Sequence, residues 1–273
     1  MSGFSLSWLN LREAADMRAR DKSLRDKAQQ WLGIGSLAGS ISPHDAIIVD
    51  LGAGTGSTLR ALSAPGSQQL VWRLVDNDGD LLDEALRRHG RDYRIEDYQN
   101  DLAVIAELPL GGARLVTASA LFDLLSAVLV DTLVARLKVQ CKTWPIGLYA
   151  ALNYDGTTNW NPQHPYDAAV LDAFNTDQRR DKGTGPALGP DSGSYLTMTL
   201  QQAGFTVHSA HSPWQLGPAE ADMMEELING MSSAVGEGHG LDAEQLQQWR
   251  DFRLAHVTTG TCTVGHVDVL ALP

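Results

Sequence analysis

Cysteine is scarce in this chain. The 273 residues hold two, Cys141 and Cys262, too few for a disulfide framework or, by themselves, for a zinc site, and both read as buried thiols of a cytoplasmic protein. Basic charge is short as well: 21 Lys and Arg stand against 33 Asp and Glu, a net charge of −12. No basic stripe of the kind that neutralises several phosphates runs through it. The pairs Arg87-Arg88 and Arg179-Arg180 sit beside acids or histidine and read as solvated helix faces, so nucleic acid is not an expected partner. No run approaches the ~18 apolar residues needed to span a bilayer, and Met1-Ser2-Gly3-Phe4-Ser5 lacks the basic start and apolar core of a signal peptide. His208 and His211 have no acid or cysteine at ligand spacing, so no metal is expected. What is present is a 43% hydrophobic chain, enough to bury the core of one large α/β domain, with or without insertions.

Its most informative stretch is Ile47-Ile48-Val49-Asp50-Leu51-Gly52-Ala53-Gly54-Thr55-Gly56-Ser57. A β-branched apolar run of strand length predicts a strand covered on both faces. The alternating glycines predict a turn whose backbone lies directly against a ligand, with the first amides of a helix behind it. A dinucleotide fingerprint would place a third glycine where Ser57 stands, so the pattern is G-x-G-x-G. The next strand, Leu70 to Asp76, ends in an acid 20 positions past Gly56, a spacing suited to a carboxylate that accepts from ribose hydroxyls. Asn77 and Asp78 follow, with Asp78 the better helix cap. A third strand closes on Asn100-Asp101-Leu102, which read alone is an ordinary strand-ending turn. A fourth, from Ala113, ends in small residues at Ser119 and Ala120, and strand ends on the carboxyl edge of an open sheet line the ligand crevice.

An acid followed by G-x-G-x-G, with Asp76, Asp101-Leu102 and the Thr117 to Ser126 run, resembles the class I S-adenosylmethionine-dependent methyltransferases, and within them a group of bacterial small-molecule enzymes. The resemblance is detailed over residues 45–152 and rests on strand order beyond. It implies an α/β fold: a seven-stranded, mostly parallel sheet with its last strand antiparallel between the fifth and sixth, helices on both faces, and an N-terminal helical lid. It implies S-adenosylmethionine as cofactor, with Asp50, Gly52, Ala53, Gly54 and Gly56 around its methionine end and Asp76 and Asn77 at the ribose. By the same resemblance Asp101 and Leu102 stand at the adenine, and Ser119 and Ala120 beside the ammonium. Asp123 is open between a substrate contact and a helix cap, and the cap is the reading favoured.

Two amphipathic stretches, about 6–19 and 21–32, precede the glycine turn and must bury one face. The resemblance lays them over the carboxyl edge, as a lid over 1–42 joined at Gly35 to Pro43, ahead of a methyltransferase domain over 43–273. Trp8 and Arg12 then become substrate or cofactor contacts, Arg12 as a guanidinium fork. The fifth strand is expected to end at Leu152, delivering Asn153, Tyr154 and Asp155 to the place where the resemblance puts substrate chemistry. Helical insertions are expected at about 157–203 and 219–258. The first carries Trp160 and Tyr166 as pocket walls, His164 as a base titrating near neutrality, and Lys182 in a Gly/Pro-dense lid loop over 181–191. Asp191 is expected to cap the helix after it. Tyr154, Asp155 and His164 are the catalytic candidates, and Asn153, Trp160, Tyr166 and Lys182 join Trp8 and Arg12 as substrate contacts. The expected activity is methyl transfer to an oxygen or nitrogen of a small molecule. A non-catalytic S-adenosylmethionine-binding or partner-binding protein is the alternative, and an NAD(P)-dependent oxidoreductase is disfavoured by Ser57.

Overall fold

The computed structural model describes residues 4–34, 46–64, 69–235 and 241–273; the expected joint from Gly35 to Pro43 lies outside them. Helices α1 (Leu6–Ala19) and α2 (Lys22–Trp31) lead into β1 (Ala46–Leu51), α3 (Ser57–Leu62), β2 (Leu70–Asp76), α4 (Gly79–His89), β3 (Arg94–Gln99), β4 (Ala113–Ser119) and α5 (Ala127–Gln140). Then come β5 (Gly147–Asn161), α6 (Asp167–Gln178), α7 (Ser192–Ala203), β6 (Thr206–His211), β7 (Trp214–Leu216), α8 (Ala221–Val235), α9 (Ala243–Ala255) and β8 (Thr261–Leu272).

One mixed sheet carries the order β3-β2-β1-β4-β5-β8-β6, with β7 also on β8. Strands β1 to β5 run parallel, and β8 pairs antiparallel with β5, β6 and β7. Eight strands are present where seven were expected because Pro213, which has no amide proton for the ladder, separates β6 from β7. Both run along the same edge of β8, from Thr206 opposite Leu272 to Leu216 opposite Cys262.

Alternation along the strands explains the layering. Val49, Leu51, Val116 and Ala118 face Leu129, Leu133, Leu137, Leu196 and Leu200 of α5 and α7. Ile48, Trp72, Leu74 and Leu115 face Leu24, Ala28, Leu59, Leu82 and Ala85 of α2, α3 and α4. Helix α2 therefore belongs to a face layer, and α1 alone crosses the carboxyl edge. A third apolar cluster, including Tyr154, Trp160, Trp214, Ile228 and Trp249, fills the space where α1, α6, α8 and α9 gather over the extended ends of β5 and β8.

That extension is the main departure from the expected boundaries. Strand β5 continues to Asn161 through two irregularities, between Ala150 and Asn153 and between Tyr154 and Thr158. Asn153-Tyr154-Asp155 thus lies inside a strand, and bulges take up the extra residues. Local chemistry sets the helix ends: Asp78 accepts from Asp80 and Leu81 amides to start α4, and Ser126 accepts from Leu129 to start α5. Asp123 is therefore not the α5 cap and lies in a short turn, Phe122–Leu124. Asp191 precedes α7 without a side-chain cap, its carboxylate accepting instead from Arg179 at 3.0 Å. Cys262 is buried, whereas Cys141 is half-buried. Arg87 and Arg180 are solvated beside Glu84 and Asp177, whereas Arg88 is half-buried and bridges Glu84 to Glu13 and Asn10 of α1.

Candidate active site

Two adjoining cavities open at the carboxyl edge. The first holds about 990 Å³ of free space, its open mouth included, between the strand-end loops and α1. Gly52, Gly54 and Gly56 all take positive φ. At Gly52, φ is +60°, and an added Cβ would stand 3.0 Å from Leu121 Cδ1, so the backbone itself forms the wall there. The Gly54 amide donates to Asp76 Oδ2 at 2.8 Å and the Asp78 amide to Oδ1 at 3.1 Å. The acid after β2 is thereby fixed against the glycine turn. Its pKa is raised, chiefly by burial, while those amides pull the other way.

Gly52, Ala53, Gly54, Asp76, Asn77, Leu102, Ser119 and Ala120 line this cavity. Three expected contacts do not. Asp50 is buried beneath the turn, where it accepts from Thr117 Oγ1 at 2.7 Å; burial lifts its pKa to about 6 against that bond. Gly56 supplies the left-handed turn into α3. Asp101 is exposed, its carboxylate accepting from the Ala103 amide at 2.8 Å. Arg20, which was not among the expected site residues, is buried behind two lining serines. Nη2 donates to Ser57 Oγ at 3.1 Å and to Ser119 Oγ at 2.9 Å, and Nε and Nη1 find no hydrogen-bond partner among the described residues.

The second cavity, of about 700 Å³ with its mouth, shares Phe4, Arg12 and Ala120 with the first. Its floor follows from strand register: Tyr154 opposite His266, Thr158 and Trp214 opposite Val264, and Trp160 on the same face of β5. Trp8 from α1, Phe174 from α6 and Met231 from α8 close it. Arg12 Nε donates to Asp16 Oδ2 at 2.9 Å, and its guanidinium lies 5.0 Å from the Trp214 ring centre. The expected fork is thus partly held by Asp16, whose other oxygen accepts from Trp214 Nε1 at 2.9 Å. The ends of β4 and β5 meet here in unusual backbone: Ala120 and Leu152, both lining residues, have φ of 49° and 57°. Strain of this kind persists only where surrounding bonds over-determine it. Asp268 supplies them, accepting from the Leu152 amide at 2.8 Å, Ser212 Oγ at 2.6 Å, Tyr149 Oη at 3.2 Å and the Asp21 amide at 2.9 Å.

Of the catalytic candidates, only Tyr154 faces this cavity. It donates to Asn175 Oδ1 at 2.9 Å, and burial raises its pKa, so it holds its proton at neutral pH. Asp155 turns within the bulge onto Thr157, accepting from its amide at 2.9 Å and its hydroxyl at 2.7 Å. His164 packs on Tyr166 and Phe252 outside both cavities. Among the substrate candidates, Trp8, Arg12 and Trp160 line the cavity; Asn153, Tyr166 and Lys182 do not. Asn153 braces the β5 bulge by donating to Val267 O at 2.8 Å, Tyr166 packs in the third core cluster, and Lys182 pairs with Asp177 at 3.2 Å.

Two further groups line the second cavity: His266, which was not among the expected site residues, and Asp123, for which the cap had been favoured over a substrate contact. His266 is buried, its ring tilted at 55° and 4.6 Å from that of Trp214, and is pushed down to about 3 chiefly by desolvation, with Arg12 adding to the effect. Asp123 is 9% exposed and raised to about 6 by burial, against Arg12 and Lys182. The alternation Cys262-Val264-His266 was the available signal for the first; for the second, the substrate-contact alternative already stood open, three residues past Ala120.

No protein-family model and no curated protein matches the chain. Solved structures do. A cyclopropane-fatty-acyl-phospholipid synthase-like protein from Lactobacillus casei superposes with a TM-score of 0.50 at 12% identity, over 95% of this chain and 98% of the other. A cyclopropane synthase from Mycobacterium tuberculosis gives 0.48 at 13% identity, over 91% and 83%. A SAM-dependent methyltransferase from Aquifex aeolicus gives 0.46 at 13% identity, over 75% and 90%. With the strand order and the antiparallel β8, the first of these establishes the fold: the chain has the architecture of the class I methyltransferases.

Proposed function

We propose that this protein is an S-adenosylmethionine-dependent methyltransferase that modifies an oxygen or nitrogen of a small molecule. One observation carries the reading: the glycine-turn cavity bounded by Asp76 adjoins, across the shared Phe4, Arg12 and Ala120, a separate aromatic-walled cavity. Methyl transfer needs a donor and an acceptor held end to end, and two such compartments on one sheet edge suit that geometry. The first compartment fits the donor. Its wall at Gly52 is bare backbone, Asp76 presents a fixed carboxylate for hydroxyl donors, and Arg20, behind the lining Ser57 and Ser119, sets a positive charge near that end.

When bound, S-adenosylmethionine supplies an electrophilic methyl group on a sulfonium. Asp76 would take the ribose hydroxyls, Leu102 would pack on the base, and Arg20 with Ser57 and Ser119 would order the amino-acid end. Helix α1 excludes water over the junction, since Arg12, Glu13 and Asp16 of this one helix line the first cavity. A net charge of −12 supports a substrate other than nucleic acid, and no helix among the described residues is long and apolar enough to cross a membrane.

Isothermal titration with S-adenosylhomocysteine, S-adenosylmethionine and NAD tests the proposal. Binding of the first two without NAD is expected; binding of NAD alone would overturn it.

A further inference from the structure

The second cavity has largely aromatic and aliphatic walls and two buried polar atoms without a partner among the described residues, His266 Nδ1 and Asp123 Oδ1. Trp8, Trp160, Trp214, Tyr154 and Phe174 give it aromatic surface. Its other polar groups are largely accounted for: Arg12 is held by Asp16, Tyr154 donates to Asn175, and Asp16 also receives Trp214. Two groups are exceptions: one is His266, whose Nδ1 is buried without a partner among the described residues but whose ring is packed against Trp214 and Tyr154, and the other is Asp123. Its Oδ1 is buried and has no hydrogen-bond partner among the described residues, yet the residue lines the cavity beside Ala120, which borders both compartments. A buried carboxylate oxygen without a donor is costly, so this position asks for a ligand that donates.

Charge narrows the class. Arg12 lies in the same cavity and stabilises the Asp123 carboxylate, as does Lys182 from further out. The positive charge Asp123 would otherwise recruit is thus already supplied by the protein. An incoming cation would meet the Arg12 guanidinium across aromatic surface that Arg12 itself occupies over Trp214. A neutral donor meets no such opposition.

We infer that the second cavity takes an uncharged aromatic molecule bearing a hydroxyl, which donates to Asp123 Oδ1, and that Asp123 is the base that receives the hydroxyl proton. The step balances simply. The substrate O–H bond breaks, its electron pair stays on oxygen, a new O–H bond forms on the carboxylate, and the negative charge passes from Asp123 to the oxygen that becomes the nucleophile. This inference rests on the donor-binding role of the first cavity and assigns the acceptor class for the second.

The test uses the full chain saturated with S-adenosylhomocysteine and titrated calorimetrically with p-cresol, 4-methylanisole, toluene and benzylammonium. A hydrogen bond to a charged acceptor predicts that p-cresol binds at least about tenfold more tightly than toluene or 4-methylanisole, neither of which can donate. Benzylammonium should bind more weakly than p-cresol. In Asp123→Asn the p-cresol advantage should fall severalfold, while affinity for S-adenosylhomocysteine stays unchanged. If that variant does not fold, the wild-type ligand series still decides. Equal binding of the three neutral probes, tightest binding by benzylammonium, or no probe binding at all would overturn the inference while leaving the donor site intact. Failure of S-adenosylhomocysteine to bind would overturn both.

Discussion

The two cavities share α1 as a roof and Ala120 as a threshold, yet they are built in different ways. The first is largely made by contiguous chain: a glycine turn, the acid ending β2, the small residues ending β4. The second is made by side chains from α1, α6, α8, β5, β7 and β8, brought together over strands that bend through two bulges. A cavity whose shape is set by backbone tolerates change around it, whereas one assembled from distant side chains depends on whatever holds those elements in place. Their buried ionisable groups differ too. Beneath the first lies an acid, Asp50, raised to about 6, whereas the second is lined both by an acid raised to about 6, Asp123, and by a histidine lowered to about 3, His266.

The sharpest way to break this comparison is to remove the brace of the second cavity. Asp268→Ala leaves the amides of Asp21 and Leu152 and the hydroxyls of Ser212 and Tyr149 without their acceptor. A loss of about 3–5 kcal/mol in urea unfolding is expected. A loss below about 1 kcal/mol would show that the bulged strands hold themselves.

The opposed titrations give the next effect. A raised carboxylic acid contributes stability present below its unfolded pKa and lost as pH rises through its folded one. Wild-type protein therefore loses up to about 3 kcal/mol from Asp50 as pH climbs from 3.8 to about 6. A depressed histidine contributes stability present above 6.5 and lost as pH falls toward about 3. Measured against wild type between pH 4 and 8, Asp50→Asn should gain relative stability toward high pH, and His266→Gln toward low pH. Slopes of the same sign would refute the assignment of one to each cavity.

Ligand affinity comes third. Asp76→Ala should weaken S-adenosylhomocysteine about 10–100-fold in titration, by loss of bonds to a carboxylate, and leave the ranking of neutral aromatic probes unchanged. The smallest effect expected is from Gly52→Ala. Left-handed backbone costs about 1–2 kcal/mol for a residue with Cβ, and the new methyl would press on Leu121. Thermal unfolding should fall by that amount, with weaker S-adenosylhomocysteine binding but unchanged probe ranking.

The same difference in construction explains what could be read in advance. Strand order, the G-x-G-x-G turn, Asp76 against that turn, Leu102 and Ser119-Ala120 are local: a few neighbouring residues carry each one. So is the Asp78 cap. The reading failed where a residue's role depends on partners far along the chain. Asn153-Tyr154-Asp155 has the composition of a turn, but pairing with β8 draws it into a strand, and only Tyr154 then points to the cavity. Nothing near Asp123 shows that Arg12, more than a hundred residues earlier, stands close enough to steady its charge. Arg20 resembles any helix-ending cation until the fold sets Ser57 and Ser119 beneath it. His164 looked isolated and titratable, and it is neither in a cavity nor free of aromatic neighbours.

Asp268 has one more consequence, and it concerns the order in which the molecule can be completed. Its carboxylate joins the amide that opens α2 to a strand 247 positions further along the chain. Closing so long a loop is entropically costly and is recovered only once the late contacts form. The parallel half of the sheet, β1 to β4, pairs without β8, and the glycine turn belongs to it. The start of α2, the left-handed Leu152 and the wall of the second cavity all wait for β8. A single carboxylate thus ties the start of α2 to the wall of the second cavity.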